Sequence, residues 1–277
     1  MSRINRTWFR KKKLIDYKVI IGLLCIAALF AFGIFYSGIF DKQEQEVNPV
    51  KDTEVEQPVP SDEVEEKQID PNKPMIAFTF DDGPSKYTEQ LLGILEQNQV
   101  HASFFMVGQN VGRYPNVIQK MKELGCDIGN HTMNHRELTK LSVEDIEIQI
   151  ESVNDAIKKC INEGATLVRP PYGSEDEKVR GALKYPIILW SVDTNDWQTE
   201  DANVIAEYIL NTVKDGDIVL MHDIYQPTVD SVAIVIPKLI EKGYQVVSVS
   251  EMAAARGITL ENGNVYGRFY PKEKLVE

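Results

Sequence analysis

The chain has 277 residues, of which 43% are hydrophobic and 26% are charged. These proportions are those of an ordinary globular protein, and they exclude a chain that is wholly disordered, collagen-like or built from many membrane spans. The 30 basic and 42 acidic residues give a net charge of -12, which argues against a nucleic-acid partner because a polyanion binds to a positively charged surface.

The N-terminal region has the pattern of a membrane anchor. Residues 1–18 carry seven basic residues and one acid, and the 22 residues of 19–40 carry no charge. As a helix, this apolar run would be about 33 Å long, enough to cross a hydrocarbon core of about 30 Å. The basic flank predicts a cytoplasmic N-terminus, a single pass through the cell membrane at 19–40 and an extracellular remainder. A cleaved signal peptide is the alternative, but the run is long for one and no A-x-A pattern closes it.

Residues 41–73 are predicted to form a disordered linker. They contain eleven acids, four lysines and no aromatic residue. Such a segment buries too little apolar surface to offset the entropy lost on ordering, and its like charges favour extended conformations. We therefore expect a tether between the membrane and the domain that follows.

From residue 74 onward, short apolar runs alternate with helical patterns, which indicates an α/β fold with parallel strands. The predicted strands are 75–80, 102–107, 127–129, 166–169, 186–192, 217–221 and 245–249. The predicted helices are 87–97, 116–124, 143–161, 176–183, 202–213 and 229–242. A domain at 74–255 is short for an eight-unit barrel, so we expect an incomplete or distorted barrel. The sequence leaves open whether the tail at 256–277 packs on it, and whether Cys126 and Cys160 form a disulfide.

Polar residues follow the first and third predicted strands, where a parallel α/β protein binds its ligands. Asp81 and Asp82 end the first strand, and a Gly-Pro pair after them supplies a bend. His131 and His135 are four residues apart after the third strand, a spacing that lets both imidazoles bind one ion. Two histidines and one aspartate form a standard catalytic zinc set that leaves positions open for water and substrate.

Three further strand ends carry reactive side chains. Arg169 ends the fourth strand before a proline-rich turn, Asp193 and Asp196 follow the fifth, and His222 follows the sixth. Three of the four histidines of the chain thus fall just after predicted strands. Five such groups at five strand ends predict one catalytic site.

Five segments together resemble the ordered motifs of a known family. They are 79–83 (TFDDG), 131–135 (HTMNH), 169–173 (RPPYG), 193–197 (DTNDW) and 220–222 (LMH). They are similar to the motifs of the polysaccharide deacetylases, carbohydrate esterase family 4, also called the NodB-homology domain. The resemblance covers roughly residues 74–255 and implies a distorted (β/α)7 barrel that removes N-acetyl groups from amino sugars in a polymer, with the help of a metal.

The resemblance implies a role for each residue on the metal side of the site. Asp82, His131 and His135 would bind one divalent metal ion. Asp81 would be the general base and Arg169 would orient it. Zinc suits the two-histidine, one-aspartate set best, and cobalt or nickel are the alternatives.

The same resemblance implies the residues that protonate and hold the substrate. His222 would be the general acid, with its pKa tuned by Asp196. Tyr172 would give a backbone N–H to the oxyanion, while Trp197 and Leu220 would line the acetyl pocket. In the hydrolysis of an amide the leaving group is an amine, and it departs only when it is protonated. The site therefore needs an acid with a pKa near neutrality in addition to the base.

The predicted substrate is a cell-wall glycan. Peptidoglycan N-acetylglucosamine leads because the tether would keep the domain near the wall, as in the membrane-anchored peptidoglycan deacetylases of Gram-positive bacteria that the chain resembles. The same chemistry on N-acetylmuramic acid, poly-N-acetylglucosamine, chitin oligomers or O-acetyl xylan is the alternative, and an inactive glycan-binding module is a remote one. We expect no nucleotide cofactor.

Overall fold

The structure, a computed structural model, describes residues 69–271. The strands are β1 (Met75–Asp81), β2 (Ser103–Met106), β3 (Asp127–Asn130), β4 (Leu167–Val168), β5 (Ile187–Ile188), β6 (Val192–Asp193), β7 (Ile218–His222), β8 (Gln245–Val247) and β9 (Val265–Tyr266). The helices are α1 (Thr88–Gln97), α2 (Gly108–Val111), α3 (Pro115–Glu123), α4 (Val143–Ile161), α5 (Glu177–Ala182), α6 (Ala202–Thr212), α7 (Gln226–Glu241) and α8 (Val249–Ala255). Helix α2 and helix α8 were not predicted from the sequence.

Strand β1 is the centre of the sheet. It pairs in parallel with β2 on one side and with β7 on the other, and its first residues also pair with β8. All seven of its residues are buried, which explains their nearly continuous apolar character.

The predicted strand at 186–192 is wrong as a single strand, because residues 189–191 interrupt it. Its first part, β5, pairs with β4 and β9, whereas its second part, β6, pairs with β7. The strand order is β6-β7-β1-β2-β3-β4-β5-β9, so β5 and β6 lie toward opposite ends of the sheet. Four residues of chain span at most about 14 Å, so the two ends must curl toward each other. The result is a parallel-strand half-barrel, consistent with the predicted distorted barrel.

The alternation of side chains along β1 separates two layers of core. Ile76, Phe78 and Phe80 pack with the surrounding helices, whereas Met75 and Ala77 join a second cluster with residues of other strands. Because side chains alternate in a strand, Thr79 and Asp81 point to the same side as Met75 and Ala77. Asp81 is the first of the predicted site residues along the chain.

The packed fold continues past residue 255. Strand β9 pairs in parallel with β5, and the Phe269 N–H donates to the carbonyl of Gly216 at 2.9 Å. Phe269 is 1% exposed and belongs to the cluster around Met75. The described part of the tail therefore packs on the sheet. Cys126 and Cys160 are both free thiols, so the disulfide left open by the sequence is not formed.

The predicted basic flank at 1–18, the predicted anchor at 19–40 and most of the predicted linker lie outside the described residues. Within residues 69–271, no helix combines the length and the apolar character that a membrane crossing requires.

Candidate metal centre and active site

The polar strand ends meet around one cavity of about 470 Å³ at the carboxyl edge of the sheet. Its lining comprises Asp81, Asp82, His131, His135, Tyr172, Trp190, Asp193, Trp197, Leu220, His222 and Tyr225. Arg169 and Asp196, the other two predicted site residues, lie behind this lining and contact it through Asp81 and His222. The structure thus brings every site residue predicted from the sequence to one place.

Asp82, His131 and His135 form a cluster that fits a divalent metal ion. One ligand atom from each lies within 4.8 Å of the others. The Asp82 Oδ1 is 3.6 Å from the His131 Nε2 and 3.4 Å from the His135 Nε2. An oxygen and two imidazole nitrogens are donor types that divalent transition metals bind in proteins.

The backbone at Asp82 explains how two adjacent carboxylates face one cavity. Asp82 has a left-handed conformation with φ of 71°, so the strand ends there and the alternation of side chains is broken. The next residue is held close to buried Asp223, since a Cβ on Gly83 would lie 2.3 Å from the Asp223 Oδ1. The bend expected from Gly-Pro therefore begins one residue earlier, and only glycine fits at position 83.

The two imidazoles are prepared to bind as neutral ligands. The His131 Nδ1 lies 2.6 Å from the backbone carbonyl of Arg169, and since a carbonyl only accepts, the Nδ1 carries the proton. The His131 Nε2 is then free to bind a metal, as in other sites where a second hydrogen bond fixes the tautomer. Burial and the neighbouring His131 lower the pKa of His135, which favours its neutral form.

Asp81 is held by a buried ion pair with Arg169. The Arg169 Nη1 donates to the Asp81 Oδ1 at 2.8 Å and to the Thr79 hydroxyl at the same distance. Its other nitrogens donate to the carbonyls of Ile188 and Leu189, each at 3.0 Å. With all its nitrogens bonded and its side chain fully buried, Arg169 fixes one carboxylate oxygen of Asp81 and leaves the other facing His131 at 3.7 Å.

His222 lies beside Asp81 on the neighbouring strand β7 and pairs with a carboxylate of its own. Its Nδ1 donates to the Asp196 Oδ1 at 2.8 Å, and its backbone N–H donates to the Asp196 Oδ2 at 2.7 Å. The Thr228 hydroxyl also donates to that second oxygen, at 2.6 Å. Burial acts to lower the pKa of His222, but the hydrogen bond and charge of Asp196 and the charges of Asp81 and Asp82 outweigh it and raise the pKa to about 9. The imidazolium form therefore persists at neutral pH.

The walls of the cavity include exposed aromatic rings and a buried leucine. Tyr172 is 67% exposed, with a φ of 63°, and its ring meets that of His135 edge to face at 4.8 Å. Trp197 is also exposed, whereas Leu220 is buried. The exposed rings offer flat surfaces to a sugar, while the buried leucine suits a methyl group.

Trp190 and Tyr225 also line the cavity, and neither was predicted as a site residue. Trp190 lies within the segment predicted as a continuous strand, where an aromatic residue is unremarkable. Its ring centre is 5.7 Å from the Arg169 guanidinium, so it packs against the same buried cation as Phe105. Tyr225 comes three residues after His222, and this closeness in sequence is the signal that could have found it.

Comparison with known proteins assigns the family. The family model described as polysaccharide deacetylase matches residues 68–185. A peptidoglycan-N-acetylglucosamine deacetylase of Bacillus cereus is 37% identical over 194 residues, which are 67% of this chain and 91% of that protein. The chain belongs to the polysaccharide deacetylase family.

Two further similarities bear on which polysaccharide deacetylases the chain resembles. The peptidoglycan-N-acetylmuramic acid deacetylase PdaC of Bacillus subtilis is 38% identical over 216 residues, which are 76% of this chain but only 46% of PdaC. The chain therefore matches about half the length of that relative. Among solved structures, the T48 deacetylase with substrate superposes with a TM-score of 0.69 at 36% identity, over 72% of this chain and all of that one.

Proposed function

We propose that the protein is a metal-dependent deacetylase that hydrolyses the N-acetyl group of N-acetylglucosamine in peptidoglycan and releases acetate. The observation that carries this proposal is the position of two ion pairs beside the candidate metal ligands. In one pair Arg169 holds the carboxylate of Asp81, and in the other Asp196 holds the imidazole of His222. Hydrolysis of an amide needs a base for the water and an acid for the amine, and the cavity presents one of each.

Asp82, His131 and His135 would hold the metal, with zinc preferred and cobalt or nickel as alternatives. When bound, a divalent ion polarises a carbonyl and lowers the pKa of water. Asp81 would take the proton from the attacking water. Arg169 would hold that carboxylate in one orientation.

His222 would give its proton to the departing amine. Asp196 holds its Nδ1–H, which leaves the Nε2–H for the substrate. The backbone N–H of Tyr172 would stabilise the oxyanion, and Trp197 with Leu220 would bound the acetyl group. Because its pKa is raised to about 9, His222 remains protonated at neutral pH and can give this proton to the amine.

The expected location and substrate follow from the N-terminal segments. An uncleaved anchor at 19–40 with a cytoplasmic N-terminus would place the catalytic domain outside the cell membrane, and the linker would let it reach the wall. A seven-unit distorted barrel is the architecture we propose for the complete domain. N-acetylmuramic acid is the second candidate sugar, because PdaC is named for activity on it.

The direct test is acetate release by the full-length chain, loaded with zinc, from purified peptidoglycan and from chitin oligomers. Mass mapping of the digested glycan then shows which sugar lost an acetyl group. We expect the loss on the glucosamine of peptidoglycan. Loss on muramic acid would favour the second sugar, loss on chitin oligomers alone would remove the wall assignment, and no release from either polymer would contradict the enzyme assignment.

A further inference from the structure

Both candidate imidazole ligands lie on one short loop whose backbone is unfavourable by itself. Residues 131–135 follow β3, and Thr132 and His135 have left-handed conformations with φ of 66° and 58°. Residues with a Cβ adopt this conformation only where their surroundings hold it. Something outside the loop must therefore fix the separation of His131 and His135.

Part of this support comes from neighbouring backbone groups. The N–H groups at the start of α2 donate to the loop, from Gly108 to the Thr132 carbonyl and from Gln109 to the Met133 carbonyl, each at 3.0 Å. The Thr132 N–H donates to the Asn130 Oδ1 at 2.9 Å. These bonds hold the first half of the loop and two of its carbonyls. They leave the N–H groups of the two residues just before His135 to be satisfied elsewhere.

Gln149 satisfies both of those N–H groups. Its Oε1 accepts from the Met133 N–H at 3.1 Å and from the Asn134 N–H at 3.3 Å. Gln149 lies on α4, which also binds the end of β3, since the Asn130 Nδ2 donates to the Ile150 carbonyl at 2.9 Å. At 7% exposed, Gln149 has little competition from water for these bonds. One oxygen thus ties the middle of the ligand loop to a long helix.

We propose that Gln149 is a positioning residue of the metal centre, whose side-chain carbonyl sets the separation and orientation of the His131 and His135 imidazoles. It belongs neither to the ligand cluster nor to the residues that line the cavity, and it acts through the backbone of residues 133 and 134. The inference rests on the proposed metal centre.

The test compares substitutions that remove or keep the acceptor oxygen in the full-length chain. Gln149→Met has a similar length and no acceptor, whereas Gln149→Glu keeps two oxygens at the same reach. Affinities for Zn²⁺ and Co²⁺ are measured by chelator competition, and the visible absorption of the Co²⁺ form reports the ligand geometry. We expect Gln149→Met to weaken metal binding about tenfold or more and to change the cobalt spectrum, and Gln149→Glu to stay within roughly threefold of the unsubstituted chain.

Ser142→Ala is the control on the same helix. The Ser142 hydroxyl accepts from the Asp145 N–H at 3.1 Å, so its loss breaks a bond at the start of α4 and keeps the bonds from Asn130 and Gln149 to the ligand loop. We expect a lower Tm with unchanged metal affinity. Should Gln149→Met not fold, Gln149→Asn, which withdraws the amide by one methylene, must show the weaker binding instead.

Two results would overturn the proposal. One is unchanged metal affinity and an unchanged cobalt spectrum in Gln149→Met. The other is equal weakening in Gln149→Met and Gln149→Glu, which would mean that packing, not the acceptor oxygen, matters. If the unsubstituted chain bound neither ion, the metal centre of the proposed function would itself be refuted.

Discussion

At the scale of single residues, the candidate base and the candidate acid each pair with a residue of opposite charge. Arg169 holds one oxygen of Asp81 in place, and Asp196 raises the pKa of His222 and so stabilises its imidazolium form. A proton acceptor of fixed orientation therefore lies beside a proton donor that stays protonated at neutral pH. Neither Arg169 nor Asp196 needs to touch the substrate to have this effect.

Substitution of a metal ligand should affect metal binding, whereas substitution of the acid or the base should affect only acetate release. We expect His131→Ala to lose the metal, because one of three ligand atoms is removed. Asp81→Asn and His222→Ala should abolish acetate release while the metal stays bound. Metal content per chain and acetate release, measured on the same samples, check this. Normal metal content and activity in all three variants would contradict the assignment.

Asp196 should set the alkaline limit of activity. Removing its charge with Asp196→Asn takes away the main influence that raises the pKa of His222, so burial, which lowers that pKa, is then opposed by the charges of Asp81 and Asp82. Since the acid must be protonated and loses its proton as pH rises through its pKa, the alkaline limb of the rate profile should move to lower pH by roughly one pH unit or more.

The measurement is the initial rate of acetate release across pH. Asp201→Asn is the control, because it removes the same charge at an exposed helix cap that the amide can still fill. An alkaline limb at the same pH in Asp196→Asn and the unsubstituted chain would show that His222 is not the acid.

At the scale of elements, α4 supports the loop that carries the two histidines. The helix begins after Ser142, whose hydroxyl accepts from the Asp145 N–H at 3.1 Å, and Glu144 and Asp145 place negative charge in its first turn. Ile146, Ile150 and Val153 bury one side of it. Because α4 is capped at its start and packed along one side, it can hold the loop at 131–135 in place through Gln149.

The cap of α4 should contribute measurably to stability. Ser142→Ala leaves the Asp145 N–H without its side-chain acceptor, so we expect the free energy of unfolding to fall by about 1 kcal/mol. Ser142→Thr keeps a hydroxyl and should lose much less. Urea unfolding of the three proteins checks this; equal stability of Ser142→Ala and the unsubstituted chain would contradict it.

The elements also show where sequence reasoning succeeds and where it fails. The strand that ends at Asp81 was predictable because its apolar run and the polar residues after it are local signals. The break at residues 189–191 was not, since apolar residues continue through the segment. Arg169, which lies 19 residues before Ile188, binds the carbonyls of Ile188 and Leu189. A continuous strand would use these carbonyls in its ladder, and nothing within the segment indicates the contact with Arg169. Gln149 was missed for the same reason, because nothing in its own helix indicates the loop that it binds.

At the scale of the whole described molecule, the C-terminal segment completes the sheet next to β5. Phe269 lies against the cluster that contains Met75, and Arg268 pairs with Asp217 just before β7. A Cβ at Gly216, which has a φ of 85°, would meet the Phe269 carbonyl oxygen. The segment therefore packs tightly at the amino ends of β1 and β7.

Removal of the Phe269 ring should lower the stability of the fold, although the residue is far along the chain from the site residues. We expect Phe269→Ala to lower the free energy of unfolding by about 3 kcal/mol or more, because the side chain is buried and leaves a cavity. Tyr270→Ala is the matched control, since Tyr270 is 47% exposed and should cost about 0.5 kcal/mol. Denaturant unfolding measures both, and a similar small loss in the two variants would show that the segment does not stabilise the fold.

The pairing of β1 with β7 has a consequence for how this site can change. Asp81 and His222 are register partners on neighbouring parallel strands, so one rung of the backbone ladder aligns the two groups. Because side chains alternate along a strand, a single-residue insertion or deletion in either strand would turn one group to the opposite face. Point substitutions can therefore alter the strength of the acid or of the base. The alignment of Asp81 with His222 is set by the pairing of the two strands, so a change in strand length is needed to disrupt it.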